Sequence, residues 1–278
     1  MTIVTGGAMR KILCPVALTG VILLELILAF LLSLTELNAI MVTLVVDLVF
    51  AIGAGIWYRL HQSEVRPSVS TRQFLFFLAF QVPIWLMSQV TATYIISLDS
   101  NAYFSESLEN APVLLYLLLT LCIAPITEEL LFRGLWYKHL RDAFGVFPAA
   151  IVSALVFSVL HGNLPQMYVT VVMGLFYALC MELTDRIWIV MILHAVANMM
   201  DALAVLIRIP TFFLEPWFFG PIDAVIIGVL LILLYKHRRH AVPVQKAPPV
   251  IRTVLPDAHE GVYEKQELDE SESNMSLK

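Results

Sequence analysis

The sequence predicts an all-α, polytopic membrane protein of about eight spanning helices, with its chemistry gathered in the second half. Three observations predict it. Of the 278 residues, 59% are apolar and only 14% are charged, against roughly 25% charged in an ordinary soluble domain. Mean hydropathy is +0.83. Apolar runs of spanning length recur along the whole chain, and a helix needs roughly 20 such residues to cross the hydrocarbon. This composition excludes a water-soluble globule and a disordered protein. The net charge of −5 excludes a nucleic-acid binder, which needs a basic face.

Taken in order, the runs are 12–34, 38–60, 73–98, 111–130, 147–161, 165–183, 187–208 and 216–235. Helices are required because the bilayer core offers no water to satisfy backbone groups. Only Thr35-Glu36-Leu37 separates the first two runs, and the fourth continues into a polar helical stretch that ends near Phe144. The first run is longer than the apolar part of a cleaved leader and lacks a small-residue cleavage site, so it reads as a span. Cys14, Cys122 and Cys180 have no paired spacing and read as buried small hydrophobes. The chain divides into N-terminal spans (1–110), a core with the last span (111–240) and an acidic tail (241–278). That tail holds seven of the 22 acids and four of the 17 bases and reads as disordered.

Orientation follows from the short loops. Arg10, Lys11, Arg59, Arg66, Arg72, Lys138, Arg141, Arg186, Lys236, Arg238 and Arg239 fall on one side of an eight-span chain. Arg208 alone falls on the other, with Glu36, Asp99, Glu106, Glu109 and Glu215. The rule predicts a multi-pass protein of the cell membrane with both termini cytoplasmic.

Charges inside spans are expensive, about 2.5–3.5 kcal/mol each near the bilayer centre. Six carboxylates break the rule: Glu25, Asp47, Glu128, Glu129, Asp201 and Asp223. Arg133, His161, His194 and Asn198 join them. On a helix, Glu129 and Arg133 stand at i and i+4 and can pair, while Glu128 is rotated by about 100° toward another face. A buried carboxylate beside a second acid is a stronger base than one in water. The bland alternative is an ion pair at a helix end. His161 closes a helix before the Gly162-Asn163-Leu164-Pro165 stop, where an imidazole also suits the helix dipole. His194, Asn198 and Asp201 share one helix face, a polar stripe that could equally serve helix packing.

Geometry brings these groups together. If the fourth and fifth runs turn near Gly145, Glu128 and His161 lie at one level, about 24 Å from the tip. His194 lies roughly 12 Å into its span. All meet if the tip, with Lys138, His139, Arg141 and Asp142, protrudes into the cytoplasm. Carboxylates, imidazoles and a carboxamide at one buried level point to catalysis. Asp201 could orient His194; Glu25, Asp47 and Asp223 read as interhelical contacts.

The motifs Glu-Glu-x-x-x-Arg (128–133), Phe-x-x-x-His (157–161) and His-x-x-x-Asn (194–198) resemble, in that order, those of the CPBP intramembrane proteases. That family includes the type II CaaX prenyl endopeptidases and bacterial relatives linked to bacteriocin processing or self-immunity. The resemblance covers roughly residues 110–202. It implies hydrolysis by water activated at Glu128, with His161 helping to hold that water and able to pass a proton to the leaving amine. His194 and Asn198 would stabilise the oxyanion, and Glu129 and Arg133 would support the motif helix. The implied partners are the lipid bilayer and a peptide or lipidated protein. A three-ligand zinc site of Glu128, His161 and His194 is the alternative chemistry, and the resemblance favours catalysis with no cofactor. Two other classes stay open on the residues alone: a non-catalytic immunity or scaffold protein of the same fold, and a proton-coupled transporter. The latter lacks the paired broken helices of such folds.

Overall fold

The computed structural model describes residues 4–35, 39–61, 68–95, 112–207 and 216–237. Regular structure among them is entirely helical. In chain order the helices are α1 (Val4–Ser33), α2 (Ala39–His61), α3 (Thr71–Ile95) and α4 (Val113–Phe144), followed by α5 (Val146–Val159), α6 (Leu164–Thr184), α7 (Ile187–Ile207) and α8 (Pro216–His237). Each expected run falls on one of them. By length and composition α2, α3, α4, α6 and α7 can each cross a membrane. The chain is a multi-pass membrane protein. Large apolar side chains such as Leu24, Ile27, Phe30, Ile52 and Ile56 stand exposed on α1 and α2, the pattern expected where lipid is the solvent.

Two expectations need correction. The fifth run does not give a full span: α5 has 14 residues and rises about 21 Å, short of the ~30 Å hydrocarbon. The chain leaves the helix after Val159 because Gly162, at φ 74°, takes a conformation that glycine adopts without strain. Cys122 is exposed, not buried, whereas Cys180 is buried as expected; Cys122 sits on an outward-facing turn of α4, and Cys180 on the enclosed α6. The tail 241–278 and the loops carrying Glu36, Arg66, Asp99, Glu106, Glu109, Arg208 and Glu215 lie outside the described residues.

Local chemistry sets the turns that aim the site helices. Gly145, at φ 91°, reverses the chain between α4 and α5 as the hairpin arithmetic requires. Asn163 caps α6: its Oδ1 accepts from the Gln166 amide at 2.9 Å, and Pro165 occupies the first turn, where its missing N–H costs nothing. Asp185 ends α6 in the left-handed region at φ 46°, and Lys138 Nζ reaches its Oδ1 at 3.2 Å.

Contacts between helices give their relative directions. Asp47 meets Thr127, Gly55 faces Leu130 and Tyr58 lies against Gly134, so α2 and α4 run parallel. Arg133 meets Gly174 and Tyr137 meets Glu182, making α4 and α6 parallel too. The α4–α7 pairs, Thr120 with Asn198 and Glu129 with His194, run in opposite order, as do the α5–α6 pairs Ala154–Gly174 and Ser158–Met167. These directions are those of a chain that reverses at each successive helix. α6 is the most enclosed of the candidate spans and carries the buried Phe176, Tyr177 and Met181.

Candidate active site

The site is built on α4, which is not a uniform α-helix. Val113–Leu118, Ala124–Glu129 and Lys138–Phe144 are α-helical, and Leu119–Ile123 and Leu130–Tyr137 are wound more loosely as π-helix. Such turns recur at functional sites because they re-aim side chains. Glu128 and Glu129 close the middle α segment. Arg133, one turn on, donates from Nη1 to Glu129 Oε1 at 3.0 Å, with both side chains wholly enclosed.

A guanidinium in this setting needs every compensation available, because desolvating an ion costs several kcal/mol. Arg133 finds three partners besides Glu129. Its Nη2 points at the Gly174 carbonyl at 3.4 Å. Its Cζ lies 4.5 Å from the Phe157 ring centre and 5.4 Å from that of Tyr177, both within cation–π range. Gly174 leaves room for this packing, since a Cβ there would stand only 3.1 Å from Arg133 Nη2 and 3.0 Å from Ala154 Cβ.

His194 enters from α7 and bridges the two glutamates. Its Nδ1 lies 2.8 Å from Glu129 Oε1, and its Nε2 lies 3.7 Å from Glu128 Oε2. Glu129 pairs with Arg133 as a carboxylate and only accepts, so His194 Nδ1 carries the proton. The two glutamates therefore differ as the helical rotation requires. Glu129 is enclosed, with Arg133 and His194 both on its Oε1, while the Glu128 side chain keeps 31% of its surface open.

His161 stands beyond the end of α5. Its Nδ1 lies 2.9 Å from the Phe157 carbonyl; a carbonyl only accepts, so Nδ1 donates and neutral His161 presents a free Nε2 lone pair. The Phe157 ring separates the two imidazoles, meeting each edge-on with centroids 4.8 Å from His161 and 5.8 Å from His194. Asn198 is one turn beyond His194, and its Nδ2 donates to the Thr120 carbonyl at 2.9 Å.

The polar stripe of α7 thus faces inward over its full length, but its members differ in partner. Asp201 does not orient His194: its Oδ1 accepts from Trp85 Nε1 at 2.8 Å and from the Gln89 amide, tying α7 to α3. Asp223 behaves as expected, accepting from the Tyr168 hydroxyl at 2.6 Å across the α6–α8 contact. Asp47 is buried on α2, and its carbonyl accepts from the Thr127 hydroxyl at 3.1 Å. Glu128, His161 and His194 do not converge as a metal's ligand set, nor do any three His, Cys, Asp or Glu side chains among the described residues. Sequence reasoning missed Gly174, Tyr177 and Thr120, which lie in apolar runs without local signal. Phe157, quoted in a motif, proves to be the spacer between the histidines.

All seven motif residues fall within the one segment that a family model matches. Residues 110–200 match the family model of Rce1-like type II CAAX prenyl endopeptidases. A curated Bacillus subtilis (strain 168) protein named "Putative membrane peptidase YdiL" is 27% identical over 84 residues, 30% of this chain and 34% of that protein. The chain therefore spans about a third of the length of the curated relative it matches. No solved structure matches the chain. The Rce1-like segment begins just before α4 and ends within α7. It contains the Glu128–Glu129–Arg133 cluster, His161, His194 and Asn198, and leaves α1–α3 outside.

Proposed function

We propose that this chain is a membrane-embedded endopeptidase that hydrolyses a peptide bond with water activated by Glu128. The observation that carries the reading is His194 held between two adjacent glutamates, Nδ1 on Glu129 at 2.8 Å and Nε2 3.7 Å from Glu128. A packing role needs one of those contacts, and it does not need a second carboxylate left partly open. The match to Rce1-like endopeptidases over 110–200 supports a membrane endopeptidase.

In this reading Glu128 takes a proton from water while His161 Nε2 accepts the water's other hydrogen. The water oxygen bonds to the substrate's carbonyl carbon, and the C=O electron pair moves to oxygen. His194 Nε2 and Asn198 Nδ2 donate to that oxyanion, where donors placed for developing charge contribute most. His194 Nδ1–H is committed to Glu129, so a donor at Nε2 requires the imidazolium. Glu128, His194, Glu129 and Arg133 then alternate in charge and sum to zero. Collapse breaks the C–N bond, and the proton on Glu128 passes to the leaving amine.

The substrate is a peptide or lipidated protein that reaches the site within the cell membrane, and both termini are cytoplasmic. The uneven distribution of Lys and Arg between the loops supports that orientation. The test is cleavage in proteoliposomes, read by mass spectrometry of host membrane peptides. Glu128→Gln and His161→Ala abolish product formation while both proteins accumulate folded, and wild-type cleavage persists with a chelator. Full cleavage by Glu128→Gln overturns the reading, and loss of wild-type cleavage with the chelator overturns its metal-free chemistry.

A further inference from the structure

Asn198 has a partner that the backbone of α4 had to be rewound to supply. In the first π turn the Ala124 amide reaches back five residues to the Leu119 carbonyl. The next amide in that register would serve Thr120, but residue 125 is proline and has no N–H to give. The Thr120 carbonyl is thereby left without a donor from either residue that could reach it. A backbone carbonyl stranded at membrane depth is costly, and neighbouring helices are the usual source of relief. Here the relief is Asn198, whose Nδ2 donates to Thr120 O at 2.9 Å.

We propose that Pro125 is a positioning residue for Asn198, acting through the carbonyl it frees at Thr120. A carbonyl accepts and never donates, so the contact fixes which end of the carboxamide faces α4. One Nδ2 hydrogen is held by Thr120, and the second is directed by the amide plane. An asparagine left free to turn over would present Oδ1 in place of that N–H for part of the time, and repel an oxyanion. Glu128 lies three residues beyond Pro125 on the same α segment. The proline that aims Asn198 therefore also opens the helical turn carrying the proposed base.

The inference rests on the proposed hydrolysis, and its test separates the two. Pro125→Ala and Pro125→Leu each restore an amide at position 125 that competes with Asn198 for the Thr120 carbonyl. In proteoliposomes both variants lower kcat by about tenfold with KM unchanged; Asn198→Ala lowers it by about a hundredfold, as expected for removal of one oxyanion donor. The decisive variant is Pro125→Ala/Asn198→Ala. Its kcat equals that of Asn198→Ala within about twofold, because residues acting through one group are not additive. Additive losses overturn the proposal, as does a wild-type kcat in both single variants. Failure of both to accumulate folded also overturns it, since Pro125 would then be structural. Should Glu128→Gln cleave normally in the same assay, it is the hydrolytic reading that fails.

Discussion

Gly174→Ala tests the packing that holds the buried ion pair. The new Cβ would lie 3.0 Å from Ala154 Cβ, 3.2 Å from Ala154 Cα and 3.1 Å from Arg133 Nη2. Apolar carbons prefer about 3.5–4.0 Å, so a neighbour on each of two sides must give by a few tenths of an ångström. One of those neighbours is α5 backbone and cannot rotate away. The other is a guanidinium that also reaches Glu129 at 3.0 Å and the Gly174 carbonyl at 3.4 Å. Overpacking of this kind costs about 1–3 kcal/mol. Expelling Arg133 altogether would approach the 3–5 kcal/mol typical of a broken buried pair, which gives an approximate ceiling. The assay is unfolding by SDS titration in mixed micelles, with cleavage measured in parallel. Gly228→Ala is the control, since nothing lies within 4 Å of its Cβ and alanine in a helix interior gains about 0.5–1 kcal/mol. The expected order of stability is Gly228→Ala, wild type, Gly174→Ala, with cleavage lost only in the last. Adding Ala154→Gly restores part of the stability by removing the Cβ–Cβ contact. A Gly174→Ala protein as stable and active as wild type would refute the reasoning.

Other expectations are narrower. Arg133→Met leaves the enclosed Glu129 carboxylate without its guanidinium partner and costs about 3–5 kcal/mol; the SDS midpoint falls and folded yield drops. Asp201→Asn keeps one acceptor for Trp85 and Gln89 but weakens both bonds, costing about 1–2 kcal/mol. Cleavage per folded molecule is unchanged, because Asp201 contacts α3 and not His194; a selective loss of kcat would show otherwise. For orientation, C-terminal fusions at Lys278 should fluoresce with a cytoplasmic reporter and stay silent with one active only outside the membrane. The opposite pattern would invert the assignment of every loop.

Much of the architecture could be read from local pattern because bilayer thickness imposes it. Each apolar run of spanning size lies on a helix, and the Glu129–Arg133 pair forms at the spacing read from the motif. Even the difference in exposure between Glu128 and Glu129 follows from helical rotation: one side chain is enclosed and the other partly open. Asp201 shows where local pattern runs out. Its face is correct, but its partners lie 116 and 112 residues away on α3, and helical period says nothing about which neighbour a face will meet. Cys122 fails for a related reason, since an apolar run does not tell the lipid-facing side of a helix from the side packed inward.

By itself the sequence determined that this chain lives in a bilayer, which apolar runs turn helical among the described residues, and which polar side chains break the hydrocarbon rule. Those follow from hydration and hydrogen-bond costs that act residue by residue. Only the tertiary structure decided that His194 stands between both glutamates, that Phe157 separates the imidazoles, and that Asn198 answers a carbonyl freed by Pro125. Each of these joins groups on different helices or on a rewound stretch of α4. Such contacts depend on how whole helices pack, and packing is a property of the bundle that no short run of residues carries.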